Sequence, residues 1–242
     1  MPESRGAGPA WLVLPTYNEA ENLEPLVDAA LANLPDSAQI LIVDDNSPDG
    51  TGEIADRLAA TEPRIKALHR ARKEGLGPAY VAGFRHALAA GAGRILEMDS
   101  DFSHDPADLP RLLAATEEAD VAIGSRYVSG GGVENWSRLR QAISRGGITY
   151  ARAVLGLPIR DLTGGFKCFR REVLEAIDLD AIASRGYAFQ VEMTYRAIGL
   201  GFTVTEVPIV FRERRAGASK MSRSIVFEAA WMVPKMRWGR DS

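Results

Sequence analysis

Short apolar runs alternate with amphipathic segments along the first half of this chain. Between Glu19 and Leu34, for example, apolar residues recur at the three- and four-residue spacing of one helix face. Continuous apolar runs that alternate with such helices indicate a parallel sheet covered by helices on both faces. The pattern predicts strands at residues 10–14, 39–43, 65–69, 94–98 and 120–124, and helices at residues 19–34, 52–60, 77–90 and 108–118.

The pattern becomes less regular after Tyr127. We predict helices at residues 139–155 and 190–199, and one alternating strand at residues 202–211. No internal repeat is visible in the sequence, and 242 residues are within the range of one large domain. The sequence therefore predicts a single-domain α/β protein with a mostly parallel sheet flanked by helices.

Polar clusters follow four of the predicted strands. Ligands of parallel α/β sheets bind at the carboxyl ends of the strands, so these clusters predict one site at that edge. The clusters are Pro15-Thr16-Tyr17, Asp44-Asp45, Asp99-Ser100-Asp101 and Ser125-Arg126.

Asp99 and Asp101 are the most informative of these residues. Alternate residues of an extended chain point the same way, so both carboxylates can face the space beyond the strand end. Carboxylates in this arrangement suit Mg²⁺ or Mn²⁺ bound to a diphosphate, because these ions keep few protein ligands. The alternative is a solvated turn in which an Asp caps the next helix.

Composition and charge narrow the class of protein. A net charge of −3 argues against wholesale binding to nucleic acid, and the lone cysteine, Cys168, is interpreted as a small buried apolar residue. The N-terminus lacks the apolar region of a signal peptide, and no apolar run approaches the ~20 residues of a spanning helix. These features predict a cytoplasmic protein, or one attached to a membrane face without crossing it.

Residues 224–238 are apolar and end in basic residues. This segment could lie in a bilayer interface, with Trp231 and Trp238 at the level of the headgroups and Lys235 and Arg237 on anionic lipid. A helix packed on the core is the alternative.

A few further residues need an interpretation. Arg152, Arg170 and Arg171 are expected to be exposed and to form surface ion pairs. His104 is expected to be a loop residue or a contact at a helix start, with a metal ligand as the alternative.

The polar clusters belong to a longer series of motifs that occur in a fixed order. The motifs are Pro15-Thr16-Tyr17-Asn18-Glu19, Val43-Asp44-Asp45-Asn46-Ser47-Pro48-Asp49-Gly50-Thr51, Asp99-Ser100-Asp101 with Ser103-His104, Gly124-Ser125-Arg126-Tyr127, Thr163-Gly164-Gly165-Phe166-Lys167, Glu206-Val207-Pro208-Ile209, and Arg214 with Gly217-Ala218-Ser219-Lys220. Taken together, the series resembles the dolichol- or polyprenol-phosphate mannose synthases, which are inverting glycosyltransferases of the GT-A fold. The resemblance covers about residues 11–222.

The resemblance implies roles for matching residues on the donor side. Asp101 would be a metal ligand, with Asp99 contacting the donor beside the metal and Ser103 at the position of an additional ligand. Asp99, Asp101 and Arg126 are the predicted catalytic residues. The remaining residues predicted to bind the nucleotide or its phosphates are Pro15, Tyr17, Glu19, Val43, Asp45, Ser100, Arg214 and Lys220.

On the acceptor side, the resemblance implies that Arg126 binds the phosphate of a polyprenyl monophosphate. Arg138, Arg140 and Arg145 lie where further contacts to that phosphate are expected. The second pKa of a lipid monophosphate is about 6, so it is largely anionic near neutral pH and attacks without a dedicated base. This agrees with the lack of an obvious base in the second half of the sequence.

The predicted reaction is mannose transfer from GDP-mannose to polyprenyl phosphate with inversion, which supplies a lipid-linked mannose donor for glycoconjugate synthesis. Mg²⁺ or Mn²⁺ is the predicted cofactor. A relative that uses a UDP-sugar, and a non-catalytic nucleotide-sugar-binding protein, remain as alternatives. Residues 1–222 would form the catalytic domain and residues 223–242 an amphipathic segment. We expect peripheral attachment to the cytoplasmic face of the membrane, or an integral-membrane partner that supplies the anchor.

Overall fold

The structure is a computed structural model that describes residues 8–184, 186, 188–213 and 223–238, with residues 223–230 described by their backbone alone. The strands in this part of the chain are β1 (Ala10–Thr16), β2 (Gln39–Asp44), β3 (Ile65–His69), β4 (Arg94–Glu97), β5 (Val121–Ser125), β6 (Gly132–Val133), β7 (Lys167–Arg170), β8 (Val204–Pro208) and β9 (Val210–Phe211). The helices are α1 (Leu23–Asn33), α2 (Thr51–Thr61), α3 (Leu76–Ala89), α4 (Leu109–Ala115), α5 (Arg138–Leu155), α6 (Arg171–Ala176), α7 (Ala188–Gly199) and α8 (Arg223–Trp238).

The main sheet has the strand order β3-β2-β1-β4-β7-β5-β8 within the described part of the chain. All neighbouring pairs are parallel except those of β7, which runs antiparallel to both β4 and β5. The predicted mostly parallel α/β fold is therefore confirmed. Because β1, β2, β4 and β5 run in one direction, their carboxyl ends lie along the same edge.

Strand side chains alternate between two hydrophobic cores. Leu12 and Leu14 face the core that is covered by α1, α2 and α4. Trp11 and Val13 face the opposite core, which is covered by α3, α5, α6, α7 and α8. On this second side the rings of Tyr80, Phe84 and Phe189 pack together, with centroid separations from 5.8 to 6.4 Å.

The predicted strand at residues 202–211 is two strands in different sheets. The first is β8, which pairs with β5, and the second is β9, which pairs with β6 in a separate two-stranded sheet. Between them, the backbone N–H of Ile209 donates to the carbonyl oxygen of Ser125 at 3.0 Å. The chain leaves the main sheet at this residue and turns toward the loop that follows β5.

The antiparallel strand β7 was not predicted from the sequence. Its Cys168 is fully buried as expected, and burial raises the pKa of the thiol to about 12. The expectation for Arg170 was wrong, because this residue is only 6% exposed. Its guanidinium donates to the carbonyl oxygens of Thr116 and Glu117 at 2.7 and 2.8 Å, so its hydrogen bonds are made inside the protein.

The neighbouring Arg171 agrees with its expectation more closely. It forms an ion pair of 2.7 Å with Glu175, and both side chains are partly exposed. The same guanidinium also donates to the carbonyl oxygens of Leu88 and Ala92.

Helix α8 combines features of both interpretations of the C-terminal segment. It packs against α5 and α7, and Val233 is buried in the core. Trp231 and Trp238 are nevertheless 76% and 69% exposed. Over the residues that the structure describes, no helix has the length and apolar character needed to cross a bilayer.

Candidate active site

Hydrogen bonds join the first three polar clusters at the strand ends. Thr16, at the end of β1, is in register with Asp44 at the end of β2. The backbone N–H of Asp45 donates to the carbonyl oxygen of Thr16 at 3.0 Å, and Ser100 Oγ donates to the carbonyl oxygen of Pro15 at 2.8 Å. The predicted edge of the sheet therefore brings Pro15, Asp45 and Ser100 together.

The predicted nucleotide-contacting turn follows β1. The ammonium group of Lys73 lies 3.6 Å from the centroid of the Tyr17 ring, and the carboxylate of Glu19 accepts a 2.9 Å hydrogen bond from Asn22. The backbone N–H of Glu19 donates to Thr51 Oγ1 at 3.0 Å, which ties the turn to the start of α2. This geometry holds the Tyr17 ring and the Glu19 carboxylate near the strand ends.

The two predicted guanosine-contacting residues of β2 have different surroundings. Asp45 is buried and pairs with Arg70, which in turn pairs with Glu74. Burial raises the pKa of Asp45, although the charge of Arg70 opposes this rise. Val43 is fully buried in the core beside α3, so its side chain contributes packing.

The acidic pair is held by hydrogen bonds from two directions. Asp101 Oδ1 accepts from the backbone N–H of Ser103 at 2.9 Å, and Asp99 Oδ1 lies 3.3 Å from the hydroxyl of Tyr80, which donates to it. A Cβ at Gly165 would lie 3.4 Å from both carboxylate oxygens of Asp99, so a glycine leaves the space in front of Asp99 open.

The donor set fits a hard divalent cation that keeps few protein ligands. Within the described residues, no group of three or more His, Cys, Asp and Glu side chains is placed to hold a metal ion. Asp99 and Asp101 supply two carboxylates, and Mg²⁺ bound to a nucleotide usually takes one or two carboxylates, with phosphate and water as its other ligands. The acidic pair therefore fits the cation that the sequence predicts, and Ser103, whose backbone N–H donates to Asp101, stays a predicted ligand.

A fully buried charged network lies next to the acidic pair, and sequence reasoning missed it. Lys167 Nζ is 3.6 Å from Glu97 Oε1, and it donates to both the backbone carbonyl and the side-chain oxygen of Gln190. Burial raises the pKa of Glu97 to about 7, against the attraction of Lys167, and burial also lowers the pKa of Lys167. Glu97 is two residues before Asp99 on the same strand end, so this network supports the position of the acidic pair.

Arg126, at the end of β5, is fixed by a buried carboxylate. Its Nε and Nη2 atoms donate to the two oxygens of Asp161 at 2.7 Å each, and Nη2 also donates to Thr163 Oγ1 at 2.7 Å. Burial opposes ionisation of Asp161, but the charge and hydrogen bonds of Arg126 outweigh it and lower the pKa of Asp161. Arg126 is only 7% exposed, so its guanidinium has one well-defined orientation.

The loop that carries Asp161 is itself anchored to β8. The carboxylate of Glu206 accepts from the backbone N–H groups of Arg160 and Asp161 at 2.8 and 2.9 Å. It also accepts a 2.7 Å hydrogen bond from Ser125 Oγ. Glu206 therefore joins the end of β5 to the loop that orients Arg126.

An aromatic cluster connects the loop of the acidic pair with Arg126. The ring of His104 packs on Phe166 and Phe211 at 5.0 and 5.1 Å between centroids, and Phe211 contacts Trp136 at 5.4 Å. The Arg126 guanidinium lies 5.6 Å from the Trp136 ring. No local sequence pattern indicates this cluster, because its members come from four separate segments.

His104 lies in a loop, as expected, but it is 1% exposed. Neither ring nitrogen has a hydrogen-bond partner among the described residues. Burial lowers the pKa of His104 to about 4, so the ring is neutral at physiological pH.

The three candidate arginines of α5 differ in their surroundings. The helix begins after Ser137, whose Oγ accepts from the backbone N–H of Arg140. Arg140 lies 4.1 Å from the Trp136 ring and pairs with Glu213 at 3.0 Å, whereas Arg138 is exposed. Arg145 is exposed and lies 5.7 Å from the Tyr127 ring. Arg214 and Lys220, which were predicted to contact the donor phosphates, lie outside the described residues.

Known proteins with similar sequences support the resemblance. The polyprenol monophosphomannose synthase of Mycolicibacterium smegmatis is 51% identical over 230 residues, which is 94% of this chain and 86% of that protein. The undecaprenyl-phosphate mannosyltransferase of Micrococcus luteus is 51% identical over 227 residues, which is 94% of this chain and 92% of that protein. These relatives confirm the predicted resemblance.

A solved structure supports the fold, and a family model supports the family. Glucosyl-3-phosphoglycerate synthase from Mycobacterium tuberculosis, crystallised with Mn²⁺, uridine-diphosphate-glucose and phosphoglyceric acid, superimposes with a TM-score of 0.71 at 18% identity. The match covers 99% of this chain and 82% of that one, and it confirms the predicted GT-A fold. The family model described as glycosyl transferase family 2 matches residues 11–178. The chain therefore belongs to glycosyl transferase family 2.

Proposed function

We propose that this chain transfers mannose from GDP-mannose to the phosphate of a polyprenyl monophosphate, with inversion at the anomeric carbon. The observation that carries this proposal is the 51% identity over 94% of the chain with two relatives. One of them is named as a polyprenol monophosphomannose synthase and the other as an undecaprenyl-phosphate mannosyltransferase. The strand-end cluster and the fixed Arg126 provide chemistry that suits such a transfer.

Arg126 is the residue that we propose for the acceptor phosphate. Asp161 already orients its guanidinium, so little side-chain freedom is lost when a phosphate binds. A largely anionic phosphate can attack the anomeric carbon without a protein base. Arg140, which shares the Trp136 ring with Arg126, is a further candidate contact, and Arg138 and Arg145 remain candidates at the same helix.

Donor binding is proposed at the other side of the strand ends. Asp99, Asp101 and Ser103 would hold Mg²⁺ or Mn²⁺, which when bound neutralises charge on the departing diphosphate. The crystal structure of the related fold contains Mn²⁺ with a nucleotide-sugar, which supports a divalent cation in this family. The other proposed donor contacts are Pro15, Tyr17, Glu19, Val43, Asp45, Ser100, Arg214 and Lys220.

We further propose peripheral attachment to the cytoplasmic face of a membrane. Leu139 and Ile143 on α5 are 71% and 44% exposed, and α8, which packs against α5, exposes Trp231 and Trp238. Large exposed apolar side chains beside basic residues suit a bilayer interface. In this proposal residues 1–222 form the catalytic domain and residues 223–242 the membrane-associating segment.

A transfer assay tests the proposed reaction. Purified protein is incubated with Mn²⁺, undecaprenyl phosphate and one radiolabelled donor at a time: GDP-mannose, UDP-glucose or UDP-N-acetylglucosamine. We expect organic-soluble label from GDP-mannose alone, released by mild acid as β-linked mannosyl phosphate is. Label from a UDP-sugar instead would identify the alternative donor class, and GDP-mannose binding without transfer would identify a sensor.

Replacing Asp101 tests the proposed metal ligand. We expect Asp101→Ala to abolish Mn²⁺-dependent transfer and to weaken Mn²⁺ binding in the presence of GDP, measured by calorimetry. Asp108→Ala is a matched control, since Asp108 pairs with Arg111 outside the strand ends. Unchanged Mn²⁺ binding by Asp101→Ala would remove the proposed role of this residue.

A further inference from the structure

Thr163 lies in the loop between Asp161 and β7, and its side chain contacts Arg126. Its Oγ1 atom accepts a 2.7 Å hydrogen bond from Nη2 of Arg126. A hydroxyl group can accept hydrogen bonds and can also donate one. Among the described residues, the hydroxyl proton of Thr163 has no acceptor. Thr163 is partly exposed, so a ligand can reach this hydroxyl.

The contacts of Arg126 show which end of its guanidinium meets a ligand. Nε and Nη2 donate to the two oxygens of Asp161, so the carboxylate occupies one edge of the guanidinium. The second N–H group of Nη2 donates to Thr163 and points to the side of Nη1. A phosphate that binds Arg126 therefore meets the end that carries Nη1, and Thr163 Oγ1 lies beside that position.

The same loop also approaches the acidic pair. Two residues after Thr163, a Cβ at Gly165 would lie 3.4 Å from both carboxylate oxygens of Asp99. The loop therefore runs from Arg126 to the space in front of Asp99. In the proposed transfer, the attacking phosphate lies between Arg126 and the sugar of the donor that is bound beside Asp99. Thr163 is in the part of the loop that borders this space.

The surroundings of Arg126 favour an anionic ligand. A cavity of about 350 Å³ beside it is also lined by Arg145, Arg152 and Arg160, and none of the other lining residues is charged. Arg152, which was expected in a surface ion pair, has a buried Nε atom without a hydrogen-bond acceptor among the described residues. These positive charges attract a phosphate toward Arg126.

The hydroxyl of Thr163 is a strong donor to such a phosphate. The guanidinium that donates to Oγ1 is positively charged, and hydrogen bonds in a chain polarise one another, so the O–H bond of Thr163 is polarised. Hydrogen bonds to an ionised acceptor are roughly twice as strong as those between neutral groups. A phosphate oxygen therefore gains more from this hydroxyl than a neutral sugar hydroxyl does.

We propose that Thr163 binds the acceptor phosphate directly, by donating a hydrogen bond from its hydroxyl to one phosphate oxygen beside the guanidinium of Arg126. This inference rests on the proposed function, and it adds a residue outside the predicted acceptor contacts. Two adjacent donors on rigid backbone fix the rotation of the phosphate as well as its position. A further terminal oxygen of the phosphate is then directed at the sugar.

Binding of a soluble acceptor tests the contact. The probe is geranyl phosphate, and its affinity is measured by calorimetry in the presence of Mn²⁺ and GDP. We expect Thr163→Val, which keeps the shape of the side chain but lacks the hydroxyl, to bind about tenfold more weakly than the wild type. Thr163→Ser keeps the hydroxyl and should bind within about threefold of the wild type.

Thr203→Val is the matched control. The hydroxyl of Thr203 donates to Asp120 at 2.7 Å, at the opposite end of β5 from Arg126. We expect unchanged affinity for geranyl phosphate from this variant. Wild-type affinity of Thr163→Val, or an equal loss in Thr203→Val, would overturn the proposal. Thr163→Ala, which also lacks the hydroxyl, repeats the test if thermal melting shows that Thr163→Val does not fold.

A second background separates a direct contact from an effect on Arg126. Arg126→Lys keeps a positive charge for Asp161 but removes the guanidinium that donates to Thr163. If Thr163 binds the phosphate itself, adding Thr163→Val to this background should weaken binding of geranyl phosphate by a further ~fivefold. No further loss would show that Thr163 acts only by orienting Arg126, and the proposed contact would be wrong.

Kinetics distinguish this inference from the proposed function. With GDP-mannose as donor, Thr163→Val should raise KM for geranyl phosphate about tenfold and leave KM for GDP-mannose within about twofold. A rise in KM for GDP-mannose alone would place the hydroxyl on the donor and overturn the proposal. If the wild type bound geranyl phosphate but transferred no mannose, the proposed function would be contradicted, and calorimetry would still decide the role of Thr163. A wild type that bound no geranyl phosphate would contradict both.

Discussion

The guanidinium of Arg126 is oriented before any ligand binds. Its partner Asp161 is fully buried and receives three hydrogen bonds from Arg126, one of them from the backbone N–H at 3.0 Å. A pair of this kind adds little net stability compared with apolar residues, but removing one partner leaves an uncompensated buried charge. Asp161 is therefore better understood as a positioning residue for Arg126 than as a simple structural contact.

Replacing Asp161 with Asn tests this role. We expect Asp161→Asn to lower the free energy of unfolding by about 3 kcal/mol, because the charge of Arg126 loses its buried partner. We expect kcat/KM for transfer to fall by about 100-fold, since a misplaced catalytic group costs about that factor. Urea unfolding and initial-rate kinetics measure the two effects.

The control for this prediction is Asp180→Asn. Asp180 pairs with Arg85 at the surface, where its side chain is 88% exposed. An exposed pair contributes at most about 1 kcal/mol, so this variant should retain both stability and activity. Equal effects of the two substitutions would contradict the positioning role of Asp161.

A hydroxyl supports the acidic pair in the same way. Tyr80 is fully buried, and its OH donates to Asp99 while its ring stacks on Phe84 and Phe189. Tyr80→Phe keeps the ring contacts and removes only the hydrogen bond. We expect Mn²⁺ binding in the presence of GDP to weaken by about tenfold, measured by calorimetry, because groups that orient metal ligands have effects of this size.

Tyr127→Phe is the matched control for Tyr80→Phe. It removes a 2.8 Å hydrogen bond to Ser144 and makes no change near Asp99. We expect unchanged Mn²⁺ binding from this variant. A loss as large as that of Tyr80→Phe would show that the effect does not pass through Asp99.

At the scale of elements, the sequence predicts the strands whose side chains are buried in apolar cores on both faces of the sheet. Strand β3 was predicted with its observed bounds, and the ends of β1, β2, β4 and β5 were predicted within two residues. These strands are continuous apolar runs because helices cover both of their faces. Their carboxyl ends therefore also predict where the candidate site lies.

Strand β7 shows why the rest could not be predicted. It is four residues long and begins and ends with the charged residues Lys167 and Arg170, a pattern that is typical of a loop. Both charges are buried and have partners far away in the sequence: Gln190 for Lys167, and the carbonyl oxygen of Thr116 for Arg170. The pattern of apolar and polar residues within a short segment does not show partners that are distant in the sequence. For the same reason, Asp161 was not predicted as the partner of Arg126.

The buried ion pair between Glu97 of β4 and Lys167 of β7 leads to a prediction about stability. Lys167→Met would leave Glu97 buried without its cation, and we expect the free energy of unfolding to fall by about 4 kcal/mol. Adding Glu97→Gln should recover more than half of this loss, because the uncompensated carboxylate is then absent. Urea unfolding of the wild type, both single variants and the double variant gives the interaction energy, and additive losses would rule out a direct coupling.

At the scale of the whole molecule, the sheet separates two sides with different surfaces. The side covered by α1, α2 and α4 packs a regular core, whereas the side covered by α5 and α8 exposes Leu139, Ile143, Trp231 and Trp238. Arg126 and Arg140 lie near the start of α5, and the acidic pair lies at the strand ends beside them. In the proposed function, the lipid-borne phosphate would therefore approach from the α5 side and the nucleotide-sugar from the end of β1 and β2.

Cys168 reports whether this sheet opens. Its thiol lies at the centre of β7, between β4 and β5, and is fully buried. Since burial holds its pKa at about 12, almost no thiolate exists in the folded protein near neutral pH, and the thiolate is the reactive form. We expect no reaction with Ellman's reagent at pH 8 until urea unfolds the protein.

The same thiol contributes a pH dependence whose sign follows from the direction of the shift. The unfolded thiol ionises near its ordinary value of 9.0 and the folded thiol at about 12, so the two states bind equal numbers of protons at this group below pH 9. Between pH 9 and 12 the unfolded state loses a proton that the folded state keeps, and the free energy of unfolding falls. At pH 10, relative to pH 8, the wild type should lose about 1.4 kcal/mol more than Cys168→Ala, which lacks this group. Equal losses in urea unfolding, or rapid labelling of the folded protein, would mean that the thiol is accessible and that the centre of the sheet opens without global unfolding.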